Sequence, residues 1–240
     1  MRDETEAATL HLLPTLWFRN TWAWGDDVAR PKIEIAADID GLAAARAHHA
    51  GLGEWLLRAD PPAELLFCDN ETNNQRLFGA PNASAHPKDA INDYLVGGVR
   101  DAVSPDRTGT KVAAHHVLDR APGESRSIRL RLTGAGGEAK LRGGALGVPF
   151  DRVMSARRTE ADRFYELVVP ETLTADEALV MRQALAGMLW SKQYHEYDVH
   201  RWLREHAASP WEADRPAGVR NLPWFHMIAG DIISMPDKWV

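Results

Sequence analysis

The chain has one cysteine, Cys68, in 240 residues. An internal disulfide is therefore excluded, and the fold must be held by its core. The same scarcity points to a reducing compartment, so a cytoplasmic location is expected. No apolar run reaches the roughly 20 residues needed to cross a bilayer, and residues 1–20 lack a basic, apolar, small-residue leader pattern. No membrane partner is expected. Basic residues are not in excess. The net charge is −6, and arginines are interleaved with acids. Phosphate backbones are bound by clustered Lys and Arg, so no nucleic-acid partner is expected. There is no internal repeat.

Several chemistries lack their motifs. No glycine-rich loop carries the P-loop lysine or the dinucleotide spacing. His195 and His200 are five apart, one too many for two zinc ligands on one helical face. His48-His49 and His115-His116 are adjacent, so their side chains diverge on a helix or a strand. No strand–Ser–helix elbow supports a Ser-His-Asp arrangement. Asp69, Asn70, Glu71 and Asn73 gather oxygen ligands, but the glycine and distal bidentate glutamate of a calcium loop are absent. A hydrogen-bonded loop is the reading preferred over calcium. No metal and no cofactor is expected. Cys68, in an apolar run, reads as a small buried hydrophobe.

What is present divides near Phe150. Before it, the periodicity is short. Leu10–Leu13 and Leu16–Phe18 straddle Pro14 and read as strand. Lys32-Ile33-Glu34-Ile35 and Ser127–Leu132 alternate with period two, which buries one set of side chains and leaves the other in water. Glu64–Cys68 and Lys111–Leu118 are apolar runs that suit more deeply buried strands. Ala121-Pro122-Gly123-Glu124 is turn chemistry. These features predict an antiparallel β sandwich with long loops.

After Phe150 the period becomes helical. A helix is expected over 151–168, stopped by Pro170. Thr174-Ala175-Asp176-Glu177 is a capping box. Ala178, Met181, Leu185, Met188, Leu189, Val199, Trp202 and Leu203 then recur at helical spacing, allowing one gap. One helix over Ala175–Trp202 is predicted. Its middle, Ala184–Trp190, is apolar on nearly every face. The domain expectation is 1–148 as a partial β sandwich, 149–173 as a linker helix and 174–240 as a helical region.

The chain contains nine tryptophans, which in general serve as core fillers or as platforms for sugar rings. Several longer words carry a family resemblance. They are Leu12–Trp22, Asp69-Asn70-Glu71-Thr72-Asn73, Gly109–His115, Glu160–Tyr165, Gln183–Trp190 and Met235-Pro236-Asp237-Lys238-Trp239. In that order they resemble bacterial glucosidases related to glycoside hydrolase family 63, a family that includes mannosylglycerate hydrolases. The resemblance spans nearly the whole chain. It implies an α+β multidomain fold, in which a β-sandwich part is followed by the first helices of an (α/α)6 toroid. It also implies inverting hydrolysis of α-linked glucose- or mannose-containing saccharides.

In that chemistry one carboxylic acid protonates the leaving oxygen. A second carboxylate, roughly 6.5–9.5 Å away, activates water. The resemblance places both carboxylates later than Trp239, so no catalytic residue is assigned within the chain. It implies a fragment, truncated at both ends and inactive alone. A non-catalytic carbohydrate-binding or interaction module is the alternative.

The carboxylates present do not replace that pair. Glu196 and Asp198 are two apart, and on a helix they would point apart. Asp231 and Asp237 read as capping groups or ion-pair partners. Trp190, Gln193 and Tyr194 would offer an aromatic face, an amide and a phenol within about one helical turn. With Lys238 and Trp239 they are the expected substrate-binding residues, and an oligosaccharide or small glycoside is the expected partner.

Overall fold

The computed structural model describes residues 7–24, 29–37, 41–134, 136–137, 144–190, 193–205 and 226–234. It is a mixed α/β structure with antiparallel sheets, dividing into two compact units, Met1–Ala156 and Arg157–Val240. The first unit contains strands β1 (Ala8–Leu12), β2 (Thr15–Trp17), β3 (Lys32–Ile35), β4 (Ala43–His49), β5 (Gly53–Asp60) and β6 (Glu64–Cys68). Short helices α1 (Asn74–Phe78) and α2 (Ala90–Leu95) follow, then β7 (Thr108–Gly109), β8 (Lys111–Arg120) and β9 (Arg129–Gly134). Helix α3 (Val148–Val168) runs from the first unit into the second. The second unit continues with α4 (Ala175–Trp190), β10 (Gln193–Asp198), α5 (Val199–Glu205) and β11 (Ile228–Ser234).

Two sheets build the first unit. One has the order β7-β3-β4-β5-β9, and the other is organised on β8, which pairs with β1, β2 and β6. All these pairings are antiparallel. Ile33, Ala45, Ala47 and Ala59 of the first sheet share one apolar cluster with Leu65, Phe67, Val112 and Ala114 of the second. The other face of the second sheet, through Leu66, Cys68 and Ala113, packs on Ala90, Ile91 and Tyr94 of α2. Strand β6 is therefore buried on both faces, which explains why its sequence is a continuous apolar run. The β-rich, antiparallel expectation for the N-terminal part holds.

The chain changes sheets at Thr110. Thr108 and Gly109 pair with β3, whereas Lys111 onward pairs with β6 and β2. A Cβ built on Gly109 would lie 2.2 Å from the Cys68 carbonyl oxygen. Only glycine allows the two sheets to approach so closely here.

In the C-terminal part, α3 matches the expected 151–168 helix and ends before Pro170. The capping box of α4 forms. Thr174 N donates to Glu177 Oε2 at 2.9 Å, and Glu177 N donates to Thr174 Oγ1 at 3.3 Å. The donor Thr174 N–H holds the Glu177 carboxyl below its ordinary range.

The single helix expected over Ala175–Trp202 is corrected. It ends at Trp190, and Gln193–Asp198 is a strand paired antiparallel with β11. Gln-Tyr-His-Glu-Tyr-Asp carries two tyrosines and a histidine, residues with modest helix propensity that suit a pleated ladder. Helix resumes at Val199, where Asp198 Oδ1 accepts from Arg201 N at 2.8 Å as an N-cap. Among the described residues no helix is long and apolar enough to cross a membrane.

Candidate functional site

A dense polar centre lies where the two sheets meet. Strand β6 ends at Cys68, and the next residues, Asp69–Asn73, turn away from the apolar layer beside the Thr110 crossover. Backbone amides freed at such a turn need acceptors, and polar side chains supply them. Asp69 Oδ1 accepts from Thr110 N at 3.1 Å, and Asp69 Oδ2 accepts from Ser84 Oγ at 2.5 Å. Asn70 N donates to Thr110 Oγ1 at 2.8 Å, and Asn70 Nδ2 donates to the Phe18 carbonyl at 2.8 Å. Asn20 Nδ2 returns a bond to the Asn70 carbonyl at 3.0 Å.

The carboxylates of this centre are engaged. Arg30 Nη2 lies 2.7 Å from Asp69 Oδ1 and 3.8 Å from Glu71 Oε1. Trp22 Nε1 donates to Glu71 Oε1 at 2.7 Å, and the Arg30 guanidinium stands 5.8 Å from the Trp22 ring centroid. Glu71 is buried, at 7% exposure, so these donors replace its lost hydration. On the outer side, Asn73 caps α1 by accepting from Arg76 N at 3.0 Å. Asp89 accepts from Asn73 Nδ2 and is ion-paired with Arg76, which also holds Asp93 at 2.6 Å.

A cleft of about 360 Å³ opens beside Asp69, walled by Arg30, Lys32, His86, Ser104 and Thr108. His86 Nδ1 is 2.7 Å from the Ala102 carbonyl, which fixes the ring against that wall. The cleft thus offers hydroxyls, cations and an imidazole to a polar guest. Its carboxylate is already bound by an arginine, a hydroxyl and an amide. A general acid needs a proton held near the working pH by burial, and a general base needs an open lone pair; the geometry of Asp69 supplies neither. The Asp69–Asn73 segment is the hydrogen-bonded loop its sequence suggests. Among the described residues no group of three or more His, Cys, Asp or Glu is placed to hold a metal.

The expected substrate-binding residues fall in the second unit. Trp190 ends α4 and is 90% exposed. Gln193 and Tyr194 do not share a helical turn with it, because both lie on β10, opposite Ser234 and Ile233 of β11. Lys238 and Trp239 lie outside the described residues, as does Asp237. Asp231 lies on β11, and Glu196 and Asp198 on β10. The sequence words flagged Trp22, Asp69–Asn73 and Thr110, but nothing in them signalled that Arg30, Ser84 and His86 would join the same centre.

The chain is similar to a protein of Saccharomyces cerevisiae described as "Uncharacterized protein YMR196W". The two are 31% identical over 266 residues, covering 99% of this chain and 24% of that protein. The chain thus spans about a quarter of the length of the curated relative it matches. No family model and no solved structure matches the chain.

Proposed function

We propose that these residues belong to an inverting α-glycoside hydrolase of the family 63 type. In this reading residues 1–148 are its partial β-sandwich part and residues 149–173 a linker helix. Residues 174–240, with α4, α5 and the paired strands β10 and β11, open an (α/α)6 toroid. The substrate is an α-linked glucose- or mannose-containing saccharide. Trp190, Gln193, Tyr194, Lys238 and Trp239 contribute to its pocket, and the acid and base come from sequence beyond these residues. No cofactor is invoked. A cytoplasmic site of action goes with this reading, on the single, buried Cys68.

One observation carries the reading. Three of the words that resemble the family are far apart in sequence, yet Asn20 and Trp22, Asp69–Asn73, and Thr110 meet in one hydrogen-bonded centre. Residues that a family shares across such separations, and that then meet in space, are those a common fold requires. The non-catalytic alternative draws on a different observation. The Asp69 cleft presents several polar side chains but has its carboxylate neutralised, which suits holding a guest better than cleaving one.

The test compares the 240-residue chain with the longest polypeptide its gene encodes, on α-glucosides and mannosylglycerate. Sugar release is followed by NMR, which reads the product anomer. The longer polypeptide is expected to hydrolyse with inversion, and the 240 residues alone to release nothing. Trp190→Ala in the active polypeptide should lower kcat/KM about tenfold, equivalent to about 1.4 kcal/mol of transition-state binding. Multiple turnovers by the 240-residue chain would overturn the assignment of both carboxylates to sequence outside it. No hydrolysis by either form would favour the binding module.

A further inference from the structure

A second cleft, of about 470 Å³, is separate from the Asp69 centre in its lining and its chemistry. Its floor is apolar, built from Ile91, Leu95 and Val96 on and just after α2. Its charged groups are cationic, Lys88 before α2 and Lys111 at the start of β8, and His11, Thr15 and Asn92 complete the polar wall. Among the described residues no acidic side chain lines it. That is a marked local departure in a chain with 34 acidic and 28 basic residues.

The nearby carboxylates are already occupied. Asp89 and Asp93 are held by Arg76. Glu64 accepts from the Tyr94 hydroxyl at 2.8 Å and lies 3.7 Å from His115 Nδ1. Lys88 Nζ reaches only the Thr72 hydroxyl, at 3.3 Å, and Lys111 Nζ only the Lys88 carbonyl, at 3.1 Å. Among the described residues neither ammonium has a carboxylate partner. An ammonium carries three donors, so each lysine retains two for a guest. The His11 Nδ1 atom is tied to His115 Nε2 at 2.8 Å, which steadies the imidazole on the same wall.

The apolar floor sets the other half of the specificity. Ile91 is buried, but Val96 is 81% exposed at the rim. Water ordered over that surface is released when an alkyl group covers it, which favours an apolar guest. Ligand sites of this kind join a mostly apolar surface to a few convergent polar groups.

We propose that this cleft binds a small amphiphilic anion, with a phosphate or carboxylate head on Lys88 and Lys111 and a short alkyl body against Ile91, Leu95 and Val96. The site is independent of the glycosidase reading.

The test uses the full 240-residue chain and hexyl phosphate, hexanoate, hexanol and inorganic phosphate as probes, titrated by calorimetry at low and high salt. Saturable one-to-one binding of hexyl phosphate or of hexanoate is expected, and which head binds tighter tells phosphate from carboxylate as the natural source. Hexanol and inorganic phosphate should each bind at least about tenfold more weakly, since each lacks one half of the recognition. Lys88→Gln should weaken the anionic probe about tenfold and reduce its salt dependence, with the melting temperature unchanged. Because Lys111 also bonds backbone, Lys111→Gln is read beside its own melting curve, and Val96→Ser tests the rim without touching charge. The proposal fails if neither anionic probe saturates, if hexanol binds as well as hexyl phosphate, or if Lys88→Gln leaves the affinity intact.

Discussion

At the scale of single residues, His116 carries a clear electrostatic signature. It is 3% exposed, and among the described residues its buried Nε2 has no hydrogen-bond partner. Burial, and then the neighbouring His115, holds its pKa below the ordinary 6.5. The folded state therefore keeps His116 neutral where the unfolded chain takes up a proton. The stability linked to this group is fully present above pH 6.5 and is lost as pH falls from there toward the lower folded value. His116→Gln, which cannot titrate, should flatten the fall in melting temperature on acidification below neutrality. Identical slopes for the two proteins would show that His116 does not carry the effect. Cys68 shows the same desolvation acting on an acid: burial pushes its thiol up to about 12. It is thus a packing residue rather than a nucleophile.

At the scale of elements, α4 provides the sharpest test. Its first turn is closed reciprocally by Thr174 and Glu177. Thr174→Ala should cost about 1 kcal/mol of helix stability. The site-specific readout is hydrogen exchange of the Glu177 amide, which loses its acceptor. Unchanged protection there would mean the cap is not formed in solution.

The elements also show what was legible. Strand β6 and the Val112–Ala114 part of β8 were readable because burial on two faces leaves a continuous apolar stretch. Strand β4 was not, since Ala43-Ala44-Ala45-Arg46-Ala47 has no β-branched or aromatic residue and alanine favours helix. Three of these alanines are buried because small side chains fit between close layers. The helical count past Trp190 failed for a different reason. Val199, Trp202 and Leu203 do lie on a helix, α5, but nothing in their spacing to Leu189 shows that a strand intervenes. In the candidate site, Asp69–Asn73 and Thr110 stood out as words. Their meeting depends on the crossover at Thr110, a long-range feature that no local pattern encodes.

At the scale of the whole molecule, the described residues of the sheets and those of helices α3 and α4 bury very different amounts of their apolar side chains. The Met1–Ala156 unit contains the clustered cores. In contrast, α3 and α4 have no buried residue, and Leu167, Val180, Leu189 and Trp190 are 60–90% exposed. Exposed apolar surface of this extent is unusual for a monomer in water. The isolated 240-residue chain should bind a hydrophobic dye in its native state and self-associate with rising concentration, as measured by fluorescence and light scattering. A monodisperse, dye-silent monomer would contradict this expectation.

The sheet organised on β8 divides two cores, and β6 faces both of them. Leu65 and Phe67 look toward β3 and β4, while Leu66 and Cys68 look toward α2. In evolutionary terms this strand is two interleaved sequences sharing one backbone. Leu65 shares its cluster with Ile33 and Ala45, and Leu66 shares its own with Ile91 and Tyr94. Residues adjacent along the chain therefore answer to different volume constraints, while residues dozens of positions apart share one.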